Sequence, residues 1–120
     1  PVIVLLVVLF MTFITEINSN TATASIFLPV LATMAAAGNP PPFLLMIPAT
    51  FACSCAFMLP SGTGPNAVIF GSGQVTIPQM SRAGLRMNLI SVVVLSMIMV
   101  LFVIPLLNIS GTVPEWAILP

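Results

Sequence analysis

Pro60-Ser61-Gly62-Thr63-Gly64-Pro65-Asn66 cannot continue a helix, yet apolar sequence flanks it on both sides. Pro60 and Pro65 lack backbone donors, and Gly62 and Gly64 permit backbone angles that other residues avoid. Upstream, Phe43 to Leu59 is a 17-residue apolar block, and downstream Ala67 to Phe70 is apolar again before Gly71-Ser72-Gly73. The pattern predicts one transmembrane helix over 43–80, unwound at 60–66. Irregular backbone at membrane depth must be covered by protein or must line a water-filled cavity.

The rest of the chain has the same character. Among 120 residues, 59% are hydrophobic and 3% are charged, and the charges are Glu16, Arg82, Arg86 and Glu115. Soluble domains carry about 25% charged residues. This composition predicts an integral membrane protein, all-α and multi-pass, and the chain reads as a piece of a longer one. Two arginines cannot neutralise a phosphate backbone, which excludes a nucleic-acid binder. With one acid deep in the sequence and no histidine, acid–base catalysis has no pair to work with, so no enzyme and no catalytic residue is expected.

A second polar cluster, Thr15-Glu16-Ile17-Asn18-Ser19-Asn20-Thr21, separates two short apolar blocks. Val2 to Ile14 has 13 residues and Ala22 to Ala37 has 16, with Pro29 inside the latter. A spanning helix needs about 20 residues. Residues 1–37 therefore read as a re-entrant helical hairpin with its tip near 18–21. Leu89 to Leu107 is the longest apolar block, so 85–107 is expected to be the last transmembrane helix and 108–120 a tail carrying Trp116 as an interface anchor. Arg82 and Arg86, just before that block, favour an inside location for this end. Asn108-Ile109-Ser110 matches a glycosylation sequon, a motif short enough to arise by chance. Cys53 and Cys55 point to nearly opposite sides of a helix and read as free thiols. Methionines 46, 58, 80, 87, 97 and 99 read as packing residues.

Both polar breaks place a helix N-terminus beside a helix C-terminus. Ser19, Asn20 and Thr21 are capping residues at the start of the second block, and Pro65 fits the first helical position after Thr63-Gly64. Free N–H groups there suit carboxylates without any arginine or lysine. Unpaired carbonyls near Asn18 and Ser61 suit sodium, an arrangement that transporters use. Glu16 reads as a structural hydrogen-bonding group near the hairpin tip, with proton coupling as the alternative.

Thr15-Glu16 with Ser19-Asn20-Thr21, then Ala56-Phe57-Met58-Leu59-Pro60, then Pro65-Asn66-Ala67 and Phe70, resembles the C-terminal part of the divalent anion:sodium symporters, the family of sodium-coupled dicarboxylate, citrate and sulfate transporters. The similarity runs from about Phe10 to Leu107. It implies two inverted repeats, each with a re-entrant hairpin and a broken helix. This chain would supply the second repeat's hairpin, its broken helix and the final helix. It further implies a homodimer in a plasma or inner membrane, with a transport domain that moves like an elevator. By the resemblance, Ser19, Asn20, Thr21, Thr63, Gly64 and Pro65 bind substrate. Thr15, Asn18, Asn20 and Gly62 surround a coupling sodium ion, Asn18 and Gly62 through their carbonyls. Relatives often read Val-Ala-Thr-Pro-Pro-Asn where this chain has Ser61 to Asn66, so Gly64 replaces a proline.

The expected function is secondary transport of small dicarboxylates such as succinate or malate, coupled to sodium and without an organic cofactor. Within the same family, a sulfate or other oxyanion carrier and a sodium-independent exchanger remain open. From another class, a structural membrane subunit or small pore remains open, although Leu89 to Leu107 lacks the continuous polar face a pore needs.

Overall fold

The computed structural model describes residues 2–38, 41–107 and 109. The expected tail at 108–120, with Trp116, Glu115 and the sequon residues Asn108 and Ser110, lies outside the described residues. Within them the chain is all-helical, with no strand.

Helix α1 spans Val2–Ile14 and α2 spans Asn20–Gly38. Ser19 caps α2: its Oγ accepts from the Ala22 N–H at 3.1 Å, and its carbonyl accepts from the Thr23 N–H at 2.9 Å. The second arm is therefore 19 residues, not 16, and at about 1.5 Å per residue it is long enough to cross a membrane. Pro29 does not shorten it. The missing donor costs one hydrogen bond, and the helix continues past it. Helix α1 contributes 13 residues within the described chain.

Helix α3, Pro42–Ala52, packs against α1, α2 and the long helix α5. It wedges between the two arms, which themselves meet edge-to-face at Phe10 and Phe27, with ring centroids 5.2 Å apart. Val4, Val8 and Met11 recur at helical spacing on α1 and are fully buried. They join Leu31 and Ala35 of α2, Leu45, Ala49 and Ala52 of α3, and Val92 and Met99 further on to make the core.

The break is longer than the sequence pattern predicts. Helical structure ends at Ala52, not Leu59, and resumes in α4 at Gly64–Gly71. Nor does the second half-helix reach residue 80, because residues 77–80 belong to the next helix. That helix, α5, starts at Ile77 rather than at Leu85 or Leu89 and runs to Ile98. Gln79 Oε1 accepts from the Thr76 N–H at 2.9 Å, which satisfies a donor at the helix start, and Pro78 sits where its missing N–H costs nothing. Arg82 and Arg86 consequently lie inside α5, exposed, and not ahead of it. Beyond Ile98 the helix widens into a π turn, Met99–Val103, before a last helical turn at Ile104–Leu106. The Pro105 ring would crowd the Leu101 carbonyl of a regular α turn, and the wider turn relieves that clash. Together Ile77–Leu106 makes 30 residues of helix with a most apolar window of mean hydropathy 3.0.

Candidate ion- and anion-binding site

The turn between α1 and α2 meets the end of α3 through a cluster of oxygens. Thr15 is fully buried; its Oγ1 lies 2.7 Å from Asn20 Oδ1 and 2.9 Å from the Cys53 carbonyl. One hydroxyl proton cannot serve two oxygen acceptors fully. Either it is shared, or the Asn20 amide turns so that Nδ2 donates to Thr15 while the hydroxyl donates to Cys53. In the first arrangement a hard cation is the natural replacement for the missing hydrogen-bond donors, since three neutral oxygens already converge. No group of three His, Cys, Asp or Glu side chains converges among the described residues, so these neutral oxygens are what the fold offers a cation there.

Glu16, next along the chain, explains the long break. It is 4% exposed, and its carboxylate accepts from backbone N–H groups of the unwound segment. Oε1 takes Phe57 at 2.7 Å and Met58 at 3.0 Å, while Oε2 takes Met58 at 3.1 Å and Leu59 at 3.2 Å. Asn88 of α5, fully buried, adds its Nδ2 to Oε1 at 2.7 Å. These donors would otherwise seek helical carbonyls, and the acid replaces those carbonyls from 41 to 43 residues away in sequence. A buried carboxylate needs compensation, and here backbone N–H groups and one amide supply it. Glu16 thus takes the structural role read from the sequence.

Asn66 does the reverse for the carbonyls. Its Nδ2 donates to the Ala56 carbonyl at 2.8 Å and to the Leu59 carbonyl at 3.0 Å. Ser81 Oγ of α5 donates to the Met58 carbonyl at 3.3 Å. The unwound backbone is therefore satisfied by side chains from α1's end, α4 and α5, as buried polar groups require.

The other expected site residues fall into two groups. Ser19 caps α2, as described, and Thr63 caps α4 by accepting from the Asn66 N–H at 3.3 Å. The first N–H groups of each helix, those of Asn20, Thr21 and Gly64, have no intrahelical acceptor, and Pro65 has no N–H. Thr21, Gly64 and Pro65 are exposed. Gly62 is buried against Glu16: a β-carbon there would lie 3.3 Å from Oε2 and 3.2 Å from Ala56 Cβ. Asn18 is exposed, with no hydrogen bond among those described. No hydrogen bond among the described residues joins Ser19, Asn20 or Thr21 to Thr63, Gly64 or Pro65. The two clusters are linked instead through Glu16, which neighbours Thr15 in sequence and Gly62 in space.

Sequence reading missed the Cys53 carbonyl as a partner of Thr15, and it missed Ser81, Gly84 and Asn88 altogether. Gly84 touches the unwound backbone so closely that an added β-carbon would overlap the Phe57 carbonyl. Ser81, Gly84 and Asn88 do share one face of α5, but α5 also carries Gln79, Arg82 and Arg86, so that spacing does not single them out in sequence.

Residues 1–109 match the sodium:sulfate symporter transmembrane region family. The chain is 50% identical over 113 residues to the sodium-dependent dicarboxylate transporter SdcS of Staphylococcus saprophyticus subsp. saprophyticus, covering 94% of this chain and 22% of that protein. It is 51% identical over 92 residues to SdcS of Staphylococcus aureus strain USA300, covering 77% of this chain and 18% of that protein. The chain thus spans about a fifth of the length of the curated relatives it matches. Apolar helices, a braced unwound segment and an oxygen cluster between α1 and α2 occur together in a chain that belongs to the sodium:sulfate symporter family of membrane transport proteins.

Proposed function

We propose that this chain is a segment of a multi-pass secondary active transporter that carries small dicarboxylates such as succinate or malate with sodium across a plasma or inner membrane. The observation that carries the reading is the convergence of Thr15 Oγ1, Asn20 Oδ1 and the Cys53 carbonyl at the start of α2, in a chain half identical to sodium-dependent dicarboxylate transporters.

Sodium binds among Thr15, Asn20 and the carbonyls of Asn18 and Gly62. Bound sodium draws Asn20 Oδ1 and Thr15 Oγ1 into its shell and orients the Asn20 amide. One substrate carboxylate then meets the free N–H groups of Asn20 and Thr21 at α2, with Ser19 holding the turn. The other break contributes Thr63, the Gly64 N–H and the Pro65 ring. Both helix N-termini carry partial positive charge, so a dianion needs no arginine or lysine from this segment. Sodium beside the carboxylate adds attraction, which couples the two ligands. No bond is made or broken. Residues 2–38 form a re-entrant hairpin and 42–71 a broken helix of one inverted repeat, and the remainder of the transporter completes the site. It works as a homodimer with an elevator-like transport domain.

A second reading shares every residue. The matched family is named for sulfate, and helix N-termini accept a sulfate as readily as a carboxylate.

Asn20→Ala in the full-length protein tests the proposal. Uptake should fall below a tenth of wild type while the dimer survives in detergent. Wild-type uptake in that variant would remove Asn20 from the site and the proposal with it.

A further inference from the structure

One face of α5 touches the unwound segment at two points and Glu16 at a third, and none of its three residues is among the proposed ion- and anion-binding residues. Ser81, Gly84 and Asn88 recur at helical spacing on that face. Ser81 Oγ donates to the Met58 carbonyl at 3.3 Å, and Gly84 lies directly on the Phe57 backbone. Asn88 Nδ2 donates to Glu16 Oε1 at 2.7 Å. Of the three, Asn88 reaches furthest. It is fully buried, and among the described residues it is the one side chain that donates to the carboxylate which holds Phe57, Met58 and Leu59.

We infer that Asn88 is a positioning residue for the proposed sodium and dicarboxylate site, acting through Glu16. The inference rests on the transport reading above. Its physical basis is that Oε1 has three donors, Phe57, Met58 and Asn88, two from the break and one from a separate helix. Without Asn88 the carboxylate is free to swing toward its remaining backbone donors. Thr15, joined to Glu16 by one peptide bond, then shifts relative to the Cys53 carbonyl and to Asn20. Gly62 shifts as well, because its backbone lies against Oε2. A ligand cage set by distances of 2.7 to 2.9 Å does not tolerate such movement. The other amide atom, Oδ1, is buried with no hydrogen-bond partner among the described residues. An apolar side chain of the same size would remove that orphan.

The test compares Asn88→Leu, which keeps the size and loses the donor, with Asn88→Ser, which keeps a donor on a shorter side chain. Both are made in the full-length protein in proteoliposomes, and succinate uptake is measured against sodium concentration. Positioning predicts that Asn88→Leu raises half-saturating sodium about tenfold and Asn88→Ser raises it less, with detergent melting of both near wild type. Unchanged half-saturating sodium in Asn88→Leu would overturn the inference while leaving the transport reading intact. Equal loss of maximal rate in both variants, with sodium affinity unchanged, would also overturn it, because that marks a packing role. Should Asn88→Leu not fold, Asn88→Ser decides: a threefold or larger rise in half-saturating sodium supports positioning, and wild-type behaviour overturns it. If the wild-type protein itself shows no sodium-dependent uptake, the transport reading fails, and this inference with it.

Discussion

Two glycines and one acid do more for the site than their chemistry suggests. Glu16 looks in sequence like a possible proton carrier, and in the fold it is spent as an acceptor for the break. Gly62 and Gly64 look interchangeable in sequence, as the loose residues of one turn. Their surroundings differ: a β-carbon at 64 meets nothing within 4 Å, whereas one at 62 meets Ala56, Leu59 and the Glu16 carboxylate at 3.2 to 3.3 Å. Gly64→Ala should therefore leave detergent melting within about 0.5 kcal/mol of wild type, whereas Gly62→Ala should cost about 1–3 kcal/mol. Equal melting of the two variants would contradict the packing described for Gly62. Gly84→Ala should be worse than either, since there the obstacle is backbone and not a side-chain end. That variant should lose folded yield together with uptake, and a folded, active Gly84→Ala would show that α5 does not sit against Phe57.

Among the elements, those set by local chemistry were legible and those set by distant partners were not. Caps at Ser19 and Thr63 could be read because Ser and Thr before a helix bind N–H groups within three residues. The start of the break could not. Nothing between Cys53 and Leu59 forbids a helix, and the groups that unwind it, Glu16 and Asn66, act from other elements. The start of α5 was readable but went unread. Thr76 followed by Pro78 and Gln79 is a helix-start signature, and the charges at Arg82 and Arg86 drew attention to the more apolar stretch beyond them. Gln79→Ala should remove the acceptor for the Thr76 N–H at a cost of about 0.5–1 kcal/mol. Amide exchange should quicken at 76–80 and stay unchanged at 89–98. Quickened exchange throughout the helix, or none anywhere, would speak against a helix start at Ile77.

At the scale of the whole molecule, the chain buries too little to stand alone. Leu106, Ile17 and Val68 are 83%, 76% and 75% exposed, and they have many apolar neighbours in the same state. Contiguous apolar surface on this scale must be covered by lipid or protein. Expressed alone without detergent or lipid, the segment should aggregate, and size-exclusion chromatography would reveal this at once; a soluble monomer would contradict the membrane assignment. The family was legible because the residues that carry the resemblance cluster at Thr15 to Thr21 and Ala56 to Phe70. The bracing face of α5 was not, because Ser81, Gly84 and Asn88 act on backbone and on Glu16, and no local pattern marks such partners. In the proposed transport cycle, the oxygen cluster between α1 and α2 serves sodium-coupled dicarboxylate uptake. Radiolabelled succinate uptake into proteoliposomes holding the full-length protein, with either sodium or choline outside, tests it most directly. Uptake should require sodium and should not require succinate preloaded inside. Uptake that is indifferent to sodium and needs internal succinate would contradict the claim and identify an exchanger.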